Sequence, residues 1–268
     1  MKNVVITGSA RGLGFEMAKR FLESNNNVMI SDLSQEMLES AKETLEKINS
    51  NVKIECKVCD VTNSEEISNL INYATEKFGS IDIWINNAGV NQPDKAIWEL
   101  SEKEIDMLID VDLKGTIICS KLVMEYMSKV GKGAIYNVEG YGSNDAKMLG
   151  LSIYGTSKRA VTYFTEALAL ESKVKNTGVI VGKLSPGIMI TDFLVNSLGD
   201  KGKIKLSDKT KKVYNILGDY PDVVSEFLVR GILNNTKNGT KIEWLTTRKA
   251  FFRFMTCGFN KRDFFGDK

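Results

Sequence analysis

The sequence predicts an α/β fold with a parallel sheet, and three observations predict it. Short apolar runs rich in β-branched residues alternate with longer stretches at helical spacing along most of the chain. The first strand-like run is followed at once by a glycine-rich turn, Gly8-Ser-Ala-Arg11-Gly12-Leu13-Gly14, and then by a helix-like stretch. All 268 residues run on without a linker, a low-complexity stretch or an internal repeat, which is a length that one large domain can hold.

The elements follow in order. Asn3–Thr7 reads as a buried strand. Phe15–Glu23 carries Met17, Ala18, Phe21 and Leu22 on one helical face. A strand, a glycine turn and a helix in that order make a turn that takes a dinucleotide. Gly8 allows the tight bend, Gly12 lets the backbone approach a pyrophosphate, and Gly14 lets helix pack closely on strand. The helix N-terminus turns its partial positive charge to the phosphates.

Val28–Ser31 is the second strand, and Ser34–Ile48 is an amphipathic helix opened by a serine cap. Lys53–Val58 is a strand, Ser64–Phe78 a helix and Ile81–Ile85 a strand. A single long helix is expected from Lys103 to about Met127. Ala134–Val138 is a strand, Tyr154 to about Lys173 a helix, and Val179–Leu184 a strand. Val223–Leu233 is a helix, and Lys241–Leu245 closes the series as a strand. Right-handed crossovers between parallel strands follow from this alternation.

Composition narrows the chemistry. Net charge is +2, which gives no electrostatic case for nucleic acid. The chain has no histidine, so imidazole bases, histidine triads and histidine-ligated metals are excluded. Cys56 and Cys59 have the spacing of a redox pair or half a zinc site. The alternating pattern around them favours a strand, whose residues three apart face opposite ways, and hence ordinary buried thiols. A first strand starting at residue 3 leaves no room for a signal peptide, and no apolar run reaches the length of a membrane span. A cytoplasmic location is expected.

Tyr154-Gly-Thr-Ser-Lys158 carries the reactive pair. Residues four apart share a helix face. An ammonium beside a phenol favours the phenolate, lowering a pKa that is ordinarily about 10. A phenol so tuned can exchange a proton with an alcohol or carbonyl oxygen.

Thr7-Gly-Ser-Ala-Arg-Gly-Leu-Gly14, Asn86-Asn87-Ala88-Gly89, Tyr154-x-x-x-Lys158 and Ser185-Pro186-Gly187 stand in the order and spacing of the short-chain dehydrogenase/reductase family, which the chain resembles over nearly its whole length. The resemblance implies a single Rossmann domain over residues 1–268, with a doubly wound, seven-stranded parallel sheet and helices on both faces. It implies reversible hydride transfer between a nicotinamide and a carbonyl/alcohol pair, with Tyr154 as acid/base and Lys158 holding the nicotinamide ribose. Asp60-Val61 resembles the pair that meets the adenine, although Asp60 could equally cap a helix. The backbone of Asn87-Ala88-Gly89 would lie along the cofactor. Pro186-Gly187 would cover the nicotinamide, with Ile188 offering its amide and Thr191 its hydroxyl. Dimers or tetramers are common in the family.

Asp32 ends the second strand, where a carboxylate accepts hydrogen bonds from the adenosine ribose and repels the 2′-phosphate of NADPH. Arg11 argues the other way, because an arginine in the turn often accompanies NADP in this family. NAD(H) is favoured on Asp32.

Two departures from the family pattern stand out. The usual catalytic serine is missing from its column: counting back from Tyr154 lands on Tyr141, and counting forward from Asn137 lands on Glu139 or Gly140. Ser143 is the nearest hydroxyl and is expected to orient the substrate oxygen, with Tyr141 as the alternative. Asp112 replaces the family's asparagine that holds a relay water, and would place a negative charge near Lys158.

The loop Asn137-x-Glu-Gly-x-Gly-Ser143, with Ile83-Trp-Ile-Asn-Asn-Ala-Gly89 and Trp244-Leu-Thr-Thr, looks like the chlorophyll(ide) b reductase branch. Scarce proline, absent histidine and abundant Lys, Asn and Ile point instead to an AT-rich bacterial genome. The resemblance then implies a large, flat, apolar substrate, for which a steroid alcohol or ketone fits. Residues 187–220 would form a lid, with Ile188, Met189, Ile190, Phe193, Leu194, Val195 and Leu198 lining a pocket and a basic stretch at Lys201–Lys212. Met148, Leu149 and Leu151 would form a second wall. The aromatic, basic tail at 246–268 is expected at a subunit interface, with a membrane surface as the less favoured reading. Alternatives are a dinucleotide sensor or scaffold without catalysis, and a reductase of small or acyl-carrier-bound ketones.

Overall fold

Alternation of faces along each strand builds the molecule. In the computed structural model, which describes residues 1–191 and 208–265, seven strands form one parallel sheet: β1 (Asn3–Thr7), β2 (Asn27–Asp32), β3 (Ile54–Val58), β4 (Ile83–Asn86), β5 (Gly133–Val138), β6 (Val179–Ser185) and β7 (Lys241–Glu243). The order across the sheet is β3-β2-β1-β4-β5-β6-β7, which is the Rossmann-like doubly wound arrangement. The strand order reverses between the parallel neighbours β1 and β4, and the clefts for nucleotides in such sheets lie outside the C-terminal strand ends at that point.

Val4, Ile6, Val28, Ile30 and Ile85 face one layer. They meet α1 (Gly12–Glu23), α2 (Gln35–Glu46) and α8 (Pro221–Asn234) through Met17, Phe21, Leu38 and Leu228. Val5, Met29, Trp84 and Ile135 face the other layer, against α3 (Ser64–Phe78) and α5 (Thr116–Val130), through Leu70, Ile71, Val123 and Met127. Fully burying one such side chain contributes about 1.5–3 kcal/mol, so the two layers supply most of the driving force. Cys56 packs into the first layer and Cys59 lies in the second, as a strand places them. Both thiols are free, and burial pushes Cys59 up to about 12.

Local chemistry sets the helix starts. Ser34 Oγ accepts from Met37 N at 3.2 Å to open α2, and Asn63 Oδ1 accepts from Glu65 N and Glu66 N to open α3. Pro221 stands at the first position of α8.

The expected single helix over 103–127 is instead three pieces. α4 (Glu102–Leu108) runs into a π-helical stretch at Ile109–Gly115, which continues as α5. Gly115 lies against β3's exit, where a Cβ would come within 3.0 Å of Val61 Cγ2, and Asp112 Oδ1 is held by Val90 N at 2.8 Å. The widened turn accommodates both contacts, and such turns are frequent at functional sites. β7 is shorter than expected and stops at Glu243. α6 (Ser152–Val174) starts two residues before Tyr154. Two α-helices among the described residues carry no expectation from sequence: α7 (Asp208–Leu217) and α9 (Thr247–Thr256). Of the expected lid, Phe193, Leu194, Val195, Leu198 and the basic residues from Lys201 to 207 lie outside the described residues.

Candidate active site

The glycine turn closes against β4's exit. Gly8 adopts φ +60°, and a Cβ there would meet Ala88 Cα at 2.6 Å. Gly14 leaves no room either: a Cβ would come within 2.6 Å of the Gly8 carbonyl oxygen and 2.7 Å of Asn87 Nδ2. Gly12, at φ +62°, opens onto free space within 4 Å. Leu13 is buried beside it, and Arg11 precedes the helix with an exposed side chain. Asn87 Nδ2 donates to the carbonyls of Thr7 and Gly8 at 3.0 and 2.7 Å, and Thr7 Oγ1 takes the amides of Asn87 and Ala88. Asp32 stands at the neighbouring strand end. Its Oδ2 accepts from Ala10 N at 3.2 Å and its Oδ1 from Leu33 N at 2.8 Å, so its charge sits at the rim of the turn. A dinucleotide fits this cradle: unfilled space at Gly12, helical amides at the N-terminus of α1, and a fixed carboxylate one strand away.

Asp60 Oδ1 accepts from both the amide and hydroxyl of Thr62 at 2.8 Å, which makes a local turn before the Asn63 cap; Val61 beside it is buried. Past β6, Pro186 and Gly187 turn the chain so that the Ile188 carbonyl accepts from Asp219 N and Ile190 N donates to the Asp219 carbonyl. Thr191 is the last described residue of that strip.

Tyr154, Lys158, Asp112 and Gly89 come together at the sheet's C-terminal edge. Tyr154 is 9% exposed, and Lys158 and Asp112 are buried. Lys158 Nζ lies 5.5 Å from the Tyr154 ring centre. A Cβ on Gly89 would stand 2.9 Å from Asp112 Oδ1 and 3.5 Å from Lys158 Nζ, so only glycine leaves these groups together. The first turn of α6 lacks a local cap; Gln92 Oε1 supplies it from the β4 loop, accepting from Ile153 N at 2.8 Å and Tyr154 N at 3.1 Å. Beneath, Asn86, Asn137, Ser120 and Thr165 form a buried chain of hydrogen bonds linking β4, β5, α5 and α6.

The electrostatics correct one expectation. Burial pushes the Tyr154 phenol upward, and the Asp112 carboxylate pushes it further. Desolvation favours the neutral phenol and is the larger of the two causes. Burial also raises the Asp112 carboxyl, opposed by Lys158 and by the Val90 amide.

The serine column is filled by Gly140. A Cβ there would lie 2.4 Å from the Tyr154 hydroxyl and 2.9 Å from Lys158 Cγ. Ser143 does not take the expected role of turning its hydroxyl to a substrate. Its Oγ donates to the Lys158 carbonyl and accepts from Gly140 N, both at 3.2 Å, and so pins the loop to α6. Tyr141 donates to the Lys147 carbonyl. Sequence reasoning does not anticipate the cap from Gln92 or the pairing of Glu139. Gln92 carries no motif that signals a cap across sixty residues. Glu139 is buried at the end of β5, with Oε1 accepting from Thr162 Oγ1 at 2.8 Å and Oε2 3.3 Å from Lys241 Nζ; a carboxylate at an inner strand end was the available signal.

Removing the Gln92 cap should loosen the tyrosine. For Gln92→Ala, kcat is expected to fall about tenfold with nucleotide KM nearly unchanged, alongside a stability loss of about 1 kcal/mol. Gln92→Glu keeps the acceptor and should recover most of the rate. Steady-state kinetics and thermal melts check both, and equal loss in the two variants would deny the capping role.

The family model described as short chain dehydrogenase matches residues 2–201. The chain belongs to the short-chain dehydrogenases. Family members are oxidoreductases that bind a nicotinamide dinucleotide and act on small-molecule carbonyl or alcohol substrates. Among curated relatives, a probable chlorophyll(ide) b reductase of Arabidopsis thaliana is 30% identical, matching 100% of this chain and 55% of that protein. A chlorophyll(ide) b reductase of Oryza sativa subsp. japonica is 34% identical over 95% of this chain and 74% of its own length. A 3alpha-hydroxysteroid dehydrogenase of Mediterraneibacter gnavus is 30% identical over 72% and 76% of the two chains. This short-chain dehydrogenase thus spans about half the length of the relatives typified by the Arabidopsis protein.

Solved structures agree on the fold. Levodione reductase superposes with a TM-score of 0.82 at 23% identity, covering 93% of this chain and 98% of that one. A 3-ketoacyl-(acyl-carrier-protein) reductase from Brucella melitensis complexed with NADH (TM-score 0.78, 22% identity, 92% and 98% coverage) and ElxO with NADP bound (0.75, 27%, 90% and 96%) follow.

Proposed function

We propose that this short-chain dehydrogenase interconverts a ketone and a secondary alcohol on a large, apolar substrate of steroid-like shape, with NAD(H) as cofactor. One observation carries the reading: a neutral, buried Tyr154 hydroxyl packed on Gly140, beside Lys158 and Asp112, at the open edge of the sheet. The bound nicotinamide supplies or takes the hydride. Tyr154 donates its proton to the carbonyl oxygen during reduction and takes it back during oxidation. Lys158 holds positive charge next to the phenolate left behind, and Asp112, with one carboxylate oxygen free of hydrogen bonds, is placed to hand a proton inward from solvent. Exposed Leu149 and Met148 and half-buried Leu151, ahead of Tyr154, offer apolar surface at the entrance. Resemblance to the chlorophyll(ide) b reductases and to the hydroxysteroid dehydrogenase supports a broad, flat substrate. A dimeric or tetrameric assembly is part of this reading, by analogy with the family.

Cofactor oxidation against a panel of ketosteroids and small polar ketones tests the substrate class. Turnover of small ketones alone rejects the steroid-like reading. Asp32 supports NAD(H), because its charge would face the 2′-phosphate of NADP(H), and a like-charge contact costs several kcal/mol. NADH is expected to be preferred, and Asp32→Ala should cut the preference for NADH over NADPH at least about tenfold. A parent chain that prefers NADPH would show that Arg11 decides instead.

A further inference from the structure

The C-terminal helix is built inside out. Its charged face is turned to the protein: Arg253 makes a bidentate pair with Asp219 at 2.7 and 3.1 Å, and Arg262, just beyond the helix, joins the same carboxylate at 3.1 Å. Trp244 Nε1 donates to it as well, at 2.7 Å, and Lys249 lies over the Trp244 ring. The apolar face points outward. Phe251, Phe252, Phe254 and Met255 are exposed on α9, and Phe259 after it is 91% exposed. No residue of α9 is buried. Phe251, Met255 and Phe259 follow at spacings of four, with Phe252 and Phe254 on either side, so the exposed groups make one patch and not scattered single residues. A helix with a polar inner face gains little from folding alone; the outer face needs an apolar medium.

Charge says which medium. Between Glu243 and Asp263 the chain carries Arg248, Lys249, Arg253, Lys261 and Arg262 and no acidic residue. Asp219 pairs with both Arg253 and Arg262 and offsets one of their two charges. Arg248 stays exposed in the aromatic patch, and at the far end of the helix Lys261 lines a groove in which Lys211, Lys212 and Arg262 outnumber the acidic Asp208 and Asp263. A second copy docked face to face through this patch would bring only the same positive side chains, Arg248 and Lys261, to the contact. A lipid surface with anionic headgroups meets them with opposite charge while its acyl region takes the phenyl rings.

We infer that α9 and Phe259 seat the protein on an anionic bilayer surface, with the rings of Phe251, Phe252, Met255 and Phe259 entering the acyl boundary and Arg248 and Lys261 contacting phosphate headgroups. This docking does not depend on the proposed substrate. The test is co-sedimentation of the full chain with phosphatidylcholine vesicles, with and without phosphatidylglycerol, at low and high salt. The parent chain binds the phosphatidylglycerol vesicles and is partly released by salt. The combined variant Phe251→Ser, Phe252→Ser, Met255→Ser partitions at least about tenfold less, and the paired variant Arg248→Glu, Lys261→Glu loses the preference for anionic vesicles. These side chains are exposed, so thermal midpoints and nucleotide binding should match those of the parent. A parent chain that stays in the supernatant with both vesicles overturns the proposal. If light scattering then shows a dimer that the serine variant breaks, the patch belongs to a second copy. Equal uptake by both vesicle types, or unchanged uptake of the serine variant, also overturns it.

Discussion

Tyr154→Phe is expected to lower kcat by at least about a thousandfold, the upper range for one positioned proton donor, while nucleotide affinity stays within a few-fold. The ring keeps its packing on Gly140 and Lys158; only the hydroxyl is lost. Stopped-flow or fluorescence titration of nucleotide binding, set beside turnover, separates the two effects. The pH dependence follows from the direction of the shift. Burial and Asp112 raise the phenol, so its protonated form persists through neutrality, and ketone reduction should stay flat from about pH 6 past the range near 10 in which an ordinary phenol ionises. Alcohol oxidation needs the deprotonated form and should rise over the same interval. Asp112→Asn removes the negative neighbour and should move both limbs to lower pH. Normal turnover by the phenylalanine variant would falsify the assignment of Tyr154 as the proton donor.

Gly140→Ser is expected to lower kcat about a hundredfold, although it supplies the hydroxyl that the family ordinarily carries near this point. The reason is steric. A Cβ at residue 140 would stand 2.4 Å from the Tyr154 hydroxyl and 2.9 Å from Lys158 Cγ, and the rigid ring cannot fold aside as a flexible chain end could. The hydroxyl must move, and misplacing a reacting group by about 1 Å costs around two orders of magnitude. Gly140→Ala should lose as much, because the clash belongs to the Cβ. A serine variant faster than the parent would mean that the loop yields and that the missing hydroxyl limits the natural enzyme. Both substitutions are read from single-turnover rates at saturating nucleotide.

Much of the fold was legible because it rests on local rules. The strand, glycine turn and helix at residues 3–23, the cap at Ser34, and the opposite faces of Cys56 and Cys59 each follow from a few neighbouring residues. The π-helical stretch at Ile109–Gly115 was not legible. Its cause is a pair of tertiary contacts, to Val61 and Val90, and a window of sequence shows only an unbroken helical pattern. The same limit hid Gln92, which caps a helix sixty residues away. Counting residues gives the reach of Ser143 and not its direction: its hydroxyl turns to the Lys158 carbonyl. The tyrosine shift was misjudged because the lysine is written in the motif while desolvation is written nowhere in it.

Asp219 joins two parts of the chain that are far apart in sequence. Its backbone pairs with Ile188 and Ile190 on the strip that opens with Pro186 and Gly187, and its carboxylate grips the C-terminal helix. Whatever steadies that helix also steadies the strip. Coupling free energies run equally in both directions, so any strengthening of nucleotide affinity by an anchored C-terminus is returned as firmer anchoring when nucleotide is present.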